Sequence, residues 1–145
     1  MYFVDREKIE ATLSFIDEQL LLLKNNQSWE TKLEKAALER ICQTVIEGML
    51  DVGNGMIDGF IMRDPGSYED IIDILEDEKV ITPEMSSGFK KVIQLRKNLV
   101  QEYIKVDHGT LLSVFQEQMG HLEKFSSHVK EYLNNELGPV SAFKN

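Results

Sequence analysis

A chain of 145 residues, 42% hydrophobic and 28% charged, is long enough to bury a core of its own without disulfides or a metal, and its composition is that of a soluble globular domain. A formal net charge of −9 excludes broad, sequence-independent binding to nucleic acid, which rests on Lys and Arg neutralising phosphates, but leaves room for a local basic cluster. The single cysteine, Cys42, excludes an intramolecular disulfide framework, fits a reducing compartment, and lies in an amphipathic run that makes it a small buried hydrophobe rather than a nucleophile.

The opening residues, Met1 to Glu7, lack the basic region and apolar stretch of a signal peptide. The run Leu20 to Leu23 is far too short to span a bilayer. The expected location is the cytoplasm, with no membrane partner. Three prolines, at 65, 83 and 139, and helical periodicity between them predict an all-α chain: an antiparallel bundle of four to five helices forming one domain over residues 1–145. Within it, residues 1–27 hold an N-terminal helix, 28–137 the main bundle and 138–145 a short tail.

Ile9, Leu13, Ile16, Leu20 and Leu23 repeat at i, i+3, i+4 and predict a first helix from about Asp5 to Asn25. Ser28, with Glu30 and Thr31 following, reads as the N-cap of a second helix reaching about Met62. Leu33, Ala37, Cys42, Val45, Met49, Val52, Met56 and Phe60 are its predicted buried face. Gly48, Gly53, Gly55 and Gly59 weaken that helix by about 0.8–1 kcal/mol each relative to Ala, so close packing against a partner helix or a second subunit is expected, or else a kink near Gly53-Asn54-Gly55.

Arg63-Asp64-Pro65-Gly66 is a turn, and Ser67 with Asp70 forms an approximate capping box for a short helix through Leu75. The acidic run Glu76-Asp77-Glu78 is its solvated end; without glycine-turn geometry it is no EF-hand. Thr82-Pro83-Glu84 is a strong helix start. Asp107 can cap the last long helix, about Gly109 to Leu137, with Leu111, Leu112, Phe115, Met119, Leu122, Phe125, Val129 and Leu133 buried. His121 and His128 have no ligand at zinc-motif spacing, and neither a metal nor a cofactor is expected. No Gly-rich phosphate loop, zinc signature, nucleophile elbow or internal repeat is present.

The functional signal lies in Leu95 to Tyr103. Phe89, Val92, Ile93, Leu99, Val100 and Tyr103 fall on one arc of a helical wheel, and Arg96 lies inside that arc. A guanidinium there is ion-paired to a neighbouring helix, placed at an interface, part of a site, or snorkelling to water. Lys90, Lys91, Arg96, Lys97 and Lys105 form the densest positive patch in the chain.

The spacing Arg96, four residues, Gln101, one residue, Tyr103 resembles the Arg-x4-His-x-Tyr motif of HepT-like proteins, all-α HEPN-domain toxins encoded beside a minimal nucleotidyltransferase antitoxin. The likeness runs from about Trp29 to Leu137, with Asp51-Val52-Gly53-Asn54-Gly55, Ser67-Tyr68 and the Arg96 motif in the family's order. Gln101 replaces the family's His, Lys97 stands where Asn usually follows the Arg, and Gly55 replaces a second His. The resemblance implies a homodimer whose paired motifs line a metal-independent RNA-cleaving cleft. Arg96 and Gln101 then occupy the catalytic positions, Lys97 and Asn98 are RNA-binding candidates, and Tyr103 is the candidate for AMPylation by the antitoxin. Gln cannot take or give a proton near neutral pH, so the ribonuclease assignment competes with a non-catalytic HEPN dimer serving as a nucleotidyltransferase partner or as a nucleotide- or RNA-binding scaffold. His108 is the only imidazole near Tyr103 in sequence and the one residue able to stand in for the missing His. In an ideal helix Arg96 and Gln101 point about 140° apart, so a shared site requires the helix to end or distort near Leu99-Val100, or contributions from two subunits.

Overall fold

The computed structural model describes residues 2–138, and its regular elements are all helical: α1 (Arg6–Asn25), α2 (Lys32–Gly59), α3 (Tyr68–Asp77), α4 (Pro83–Ile93), α5 (Arg96–Val100) and α6 (His108–Leu137). Five of these have ten or more residues and α5 has five, in agreement with the all-α bundle expected from periodicity. The residues from Pro139 onward, where the tail is expected, lie outside those described.

The helix starts follow from short polar side chains that accept otherwise orphaned backbone N–H groups. Asp5 accepts from the N–H of Lys8, Ser67 from Asp70, Thr82 from Met85 and Asp107 from Thr110. For α2 the cap is Thr31, not Ser28: Thr31 accepts from the N–H of Glu34, whose carboxylate accepts from the N–H of Thr31 at 2.9 Å, a reciprocal pair that Ser28 only supplements. Leu33 is 81% exposed and Ala37 is also exposed, contrary to the expected face. The reason is rotational: the buried arc is set by Leu38, Cys42, Val45 and Met49, and on a 3.6-residue wheel Ala37 lies about 140° and Leu33 about 180° from Cys42.

Helix α2 runs unbroken through Gly53-Asn54-Gly55, and its glycines admit neighbouring helices of the same chain. A Cβ on Gly48 would stand 2.8 Å from Ile16 of α1, and one on Gly53 would stand 2.4 Å from Ile71 of α3. The missing side chains let α1 and α3 lie against α2, so these glycines offer no separate argument for a subunit interface. Cys42 is fully buried here, and burial pushes its thiol well above the ordinary range.

The turn from α2 into α3 is locked by charge. Arg63 donates two hydrogen bonds to Asp70, at 2.7 and 2.8 Å, and the N–H of Gly66 donates to the same carboxylate at 2.8 Å. The Arg63 fork and the Gly66 N–H hold the Asp70 carboxyl down at about 2. At the other end of the chain Arg6 ties α1 to the end of α6, donating to the Gly138 carbonyl at 2.9 Å and to the Asn134 side chain.

Matched glycine substitutions separate close approach from helix propensity. Open space surrounds the position that a Cβ would take on Gly120 of α6, so Gly120→Ala should gain about 0.8–1 kcal/mol. Gly53→Ala should instead lose about 1–3 kcal/mol by overpacking against Ile71. Urea unfolding of the two variants beside wild type reads the opposite signs; a stabilised Gly53→Ala would contradict the packing. Because the Asp70 pKa is depressed on folding, its contribution to stability is present above about pH 4 and lost as pH falls towards about 2. Wild type should therefore be more stable than Asp70→Asn at pH 6, and the gap should close by about pH 2.

Candidate functional site

The arm that carries Arg96 is not one helix. After Ile93 the chain tightens: the N–H of Leu95 bonds the carbonyl of Val92 at 3.1 Å, an i→i+3 step, and α5 then resumes as a single turn from Arg96. This places the distortion at Gln94-Leu95, about one turn earlier than the end at Leu99-Val100, which also occurs. The two together re-aim the side chains, so that Leu99 is buried and Arg96 and Gln101 line the same surface depression.

Arg96 is the junction of three elements. Its Nε donates to Oε1 of Glu47 on α2 at 2.6 Å, and its guanidinium lies 4.5 Å from the ring centroid of Tyr68 at the start of α3. The side chain is 20% exposed and that of Glu47 37%. The ion pair to a neighbouring helix, one of the possibilities open for an Arg within an apolar arc, forms within the chain. Glu47 is the partner that sequence reasoning misses; its only signal is an acidic residue between Ile46 and Gly48 in an otherwise apolar stretch of α2.

The depression beside Arg96 has a volume of about 220 Å³ and is lined by Tyr68, Glu69, Ile93, Gln94, Lys97 and Gln101 in addition to Arg96. Gln94 donates to Glu69 across it at 2.9 Å. Of the positive patch, Lys90 pairs with Asp73 and Arg96 with Glu47, whereas no carboxylate among the described residues lies within ion-pairing distance of Lys97. The cation exposed at the depression is therefore Lys97.

The remaining sequence candidates lie elsewhere. Asn98 is occupied by the loop that follows: its amide donates to the carbonyls of Glu102 and Lys105 at 3.1 and 2.9 Å, and its oxygen accepts from the N–H of Asp107 at 3.0 Å. Tyr103 does not line the depression; α5 has ended before it, so the seven-residue relation to Arg96 no longer places both on one helix face. Its side chain is 64% exposed, next to Ile104 at 93%. His108 opens α6, with Nε2 2.7 Å from Glu39 of α2. The Asp51 and Asn54 side chains line a different groove, of about 400 Å³, together with Asp5, Lys8 and Asp58. Among the described residues no group of three His, Cys, Asp or Glu side chains is arranged to hold a metal.

Comparison with known proteins bears on the family and the fold. Residues 9–129 match the family described as HepT-like, Ribonuclease HepT-like. A Bacillus subtilis (strain 168) protein named "Putative RNase YutE" is 51% identical over 144 residues, covering 99% of this chain and 100% of that protein. The solved structure of Bacillus subtilis YutE, described as a cytosolic protein of unknown function, superposes with a TM-score of 0.95 over the same shares of the two chains. A tri-AMPylated Shewanella oneidensis HEPN toxin in complex with MNT antitoxin shares the fold at a TM-score of 0.72 and 21% identity, covering 90% of this chain and 99% of that one. An all-helical fold, a match over most of the chain and a half-identical relative of equal length together place this protein in the HepT-like family.

Proposed function

We propose that this chain is the toxin-type half of a two-protein module, a cytoplasmic homodimer that engages RNA through the Arg96 depression and is paired with a minimal nucleotidyltransferase antitoxin. The observation that carries the reading is the convergence of Arg96, Lys97 and Gln101 on one depression through the break and end of the α4–α5 arm. It is supported by the 51% identical relative named for RNase activity and by the toxin–antitoxin complex among the proteins that share the fold.

In this reading the ribose 2′-hydroxyl attacks the adjacent phosphate, the new 2′-O–P bond forms as the P–O5′ bond breaks, and one proton leaves the 2′-oxygen while another reaches the 5′-oxygen. Arg96 stabilises the charge that develops on the phosphate. Gln101 hydrogen-bonds and orients but transfers no proton, which removes a contribution of about 10²- to 10⁴-fold in rate. No metal has a part in this scheme. Cleavage by wild type should accordingly be slow or absent.

The non-catalytic reading, a HEPN dimer kept as a nucleotidyltransferase partner or scaffold, draws its support from the Glu47 pair, which neutralises Arg96 in addition to the loss of the imidazole. One substitution separates the two. Under the first, Gln101→His should gain about 10²-fold or more in RNA cleavage that survives EDTA, and Arg96→Ala in that background should remove the gain. Under the second, Gln101→His stays inactive, and Arg96→Ala changes only stability, by about 1–3 kcal/mol for a charge-assisted hydrogen bond. A wild type that is already a fast nuclease and is unaffected by Gln101→His would overturn both assignments of Gln101 and direct attention to His108.

Tyr103 stands in solvent where a second protein can reach it. A cognate nucleotidyltransferase with ATP should transfer AMP to wild type and not to Tyr103→Phe, read as a mass increase of one AMP at that residue. Equal labelling of both would remove Tyr103 as acceptor. Light scattering at micromolar concentration should give twice the 16.7 kDa of one chain; a monomer across that range would exclude the dimer.

A further inference from the structure

The ring of Tyr68 has one neighbour that a packed core residue would not have, the guanidinium of Arg96 at 4.5 Å, and it remains half exposed at the rim of the depression. Its position is fixed from both sides. Tyr68 is the first residue of α3, directly after the Ser67 cap, and the Arg63–Asp70 fork locks the turn that delivers it. Arg96, itself held by Glu47, supports the ring from beneath. A rigid aromatic face beside a small polar depression is the arrangement by which proteins hold an unpaired nucleobase, since every base has a π-face to stack and polar edges to satisfy.

The surroundings fit such a guest. Ile93 supplies an apolar wall, the amide of Gln101 offers a donor and an acceptor for a base edge, Gln94 holds the Glu69 carboxylate, and the ammonium of Lys97 is available to a phosphate. The volume of about 220 Å³ is enough for one base. Base-paired RNA keeps its bases stacked on each other and presents phosphates and ribose instead, so this geometry selects single strands, loops and ends.

We propose that Tyr68 is the stacking platform of the RNA site, holding one unpaired base on the ring that Arg96 backs while Lys97 contacts a neighbouring phosphate. The inference rests on the RNA-binding reading given above and goes beyond it in naming the form of the substrate and the residue that selects it. Tyr68 acts as a positioning residue for the strand and takes no part in proton transfer.

The test is fluorescence anisotropy with a labelled eight-nucleotide single-stranded RNA, the same sequence as a duplex, and free mononucleotides, using the full chain. Wild type should bind the single strand more tightly than the duplex. Tyr68→Phe should match wild type, because the ring remains. Tyr68→Ala and Tyr68→Leu should each weaken binding by about 5- to 150-fold, the equivalent of about 1–3 kcal/mol per stacked base. Two replacements guard against a local folding defect, which circular dichroism checks in parallel. Lys97→Ala should reduce the slope of log affinity against log salt by about 0.7, one phosphate contact on a single strand. Tight single-strand binding that is indifferent to Tyr68→Ala and Tyr68→Leu overturns this inference and leaves the RNA reading intact. Absence of binding to any RNA by wild type overturns both. Mononucleotide binding as tight as that of the eight-mer, with the same Tyr68 dependence, identifies a free nucleotide as the guest and overturns the RNA strand.

Discussion

The site depends on a charge held where the helical pattern calls for an apolar residue. Arg96 gives up much of its hydration to reach Glu47 on α2 and the face of Tyr68 on α3, and an unpaired guanidinium in that position would be costly. The pair therefore constrains three elements at once: the short α5 must present Arg96 towards α2, α3 must begin at Tyr68, and Glu47 must stand on the side of α2 that α5 meets. A lysine at position 96 would keep the charge and lose the planar group that both donates to the carboxylate and stacks on the ring.

Much of the bundle is legible because helix starts are local events. Asp5, Ser67, Thr82 and Asp107 cap the helices that their sequence contexts announce, each by accepting an N–H three residues on. The start of α2 is harder to place for a related reason: Ser28 and Thr31 are both competent caps, and only the reciprocal Glu34 contact decides between them. The break at Gln94-Leu95 has no such signal. Neither proline nor glycine marks it, and the residues there adopt ordinary right-handed conformations. It arises from the tertiary demand that Leu99 be buried while Arg96 reaches Glu47, which no local window contains.

That single break accounts for most of what the motif's spacing alone could not tell. A continuous helix separates Arg96 from Gln101 and brings Tyr103 back to the face of Arg96; the real chain does the reverse on both counts. Asn98 illustrates a second gap between composition and role. A polar side chain beside a basic residue invites a ligand, yet all three of its hydrogen bonds go to the backbone between Glu102 and Asp107, where they fix the loop that carries Tyr103. Its part in the site is to hold that loop in shape.

The overall charge bears on how such a site works. With a net charge of −9, the field of the whole protein repels a polyanion, so long-range attraction supplies little of the affinity that basic nucleic-acid-binding domains draw from it. Two cations of the basic patch, Lys90 and Arg96, are already balanced by Asp73 and Glu47. What remains is short in range: one exposed ammonium on Lys97, the amide of Gln101 and the ring of Tyr68, with Gln94 engaged by Glu69. Stacking does not depend on net charge and discriminates an exposed base from a paired one, so in the reading proposed here an acidic protein gains selectivity from the weakness of its electrostatics. A strongly basic surface would hold any RNA; under the proposed reading this one would hold only a strand that offers a base to the ring.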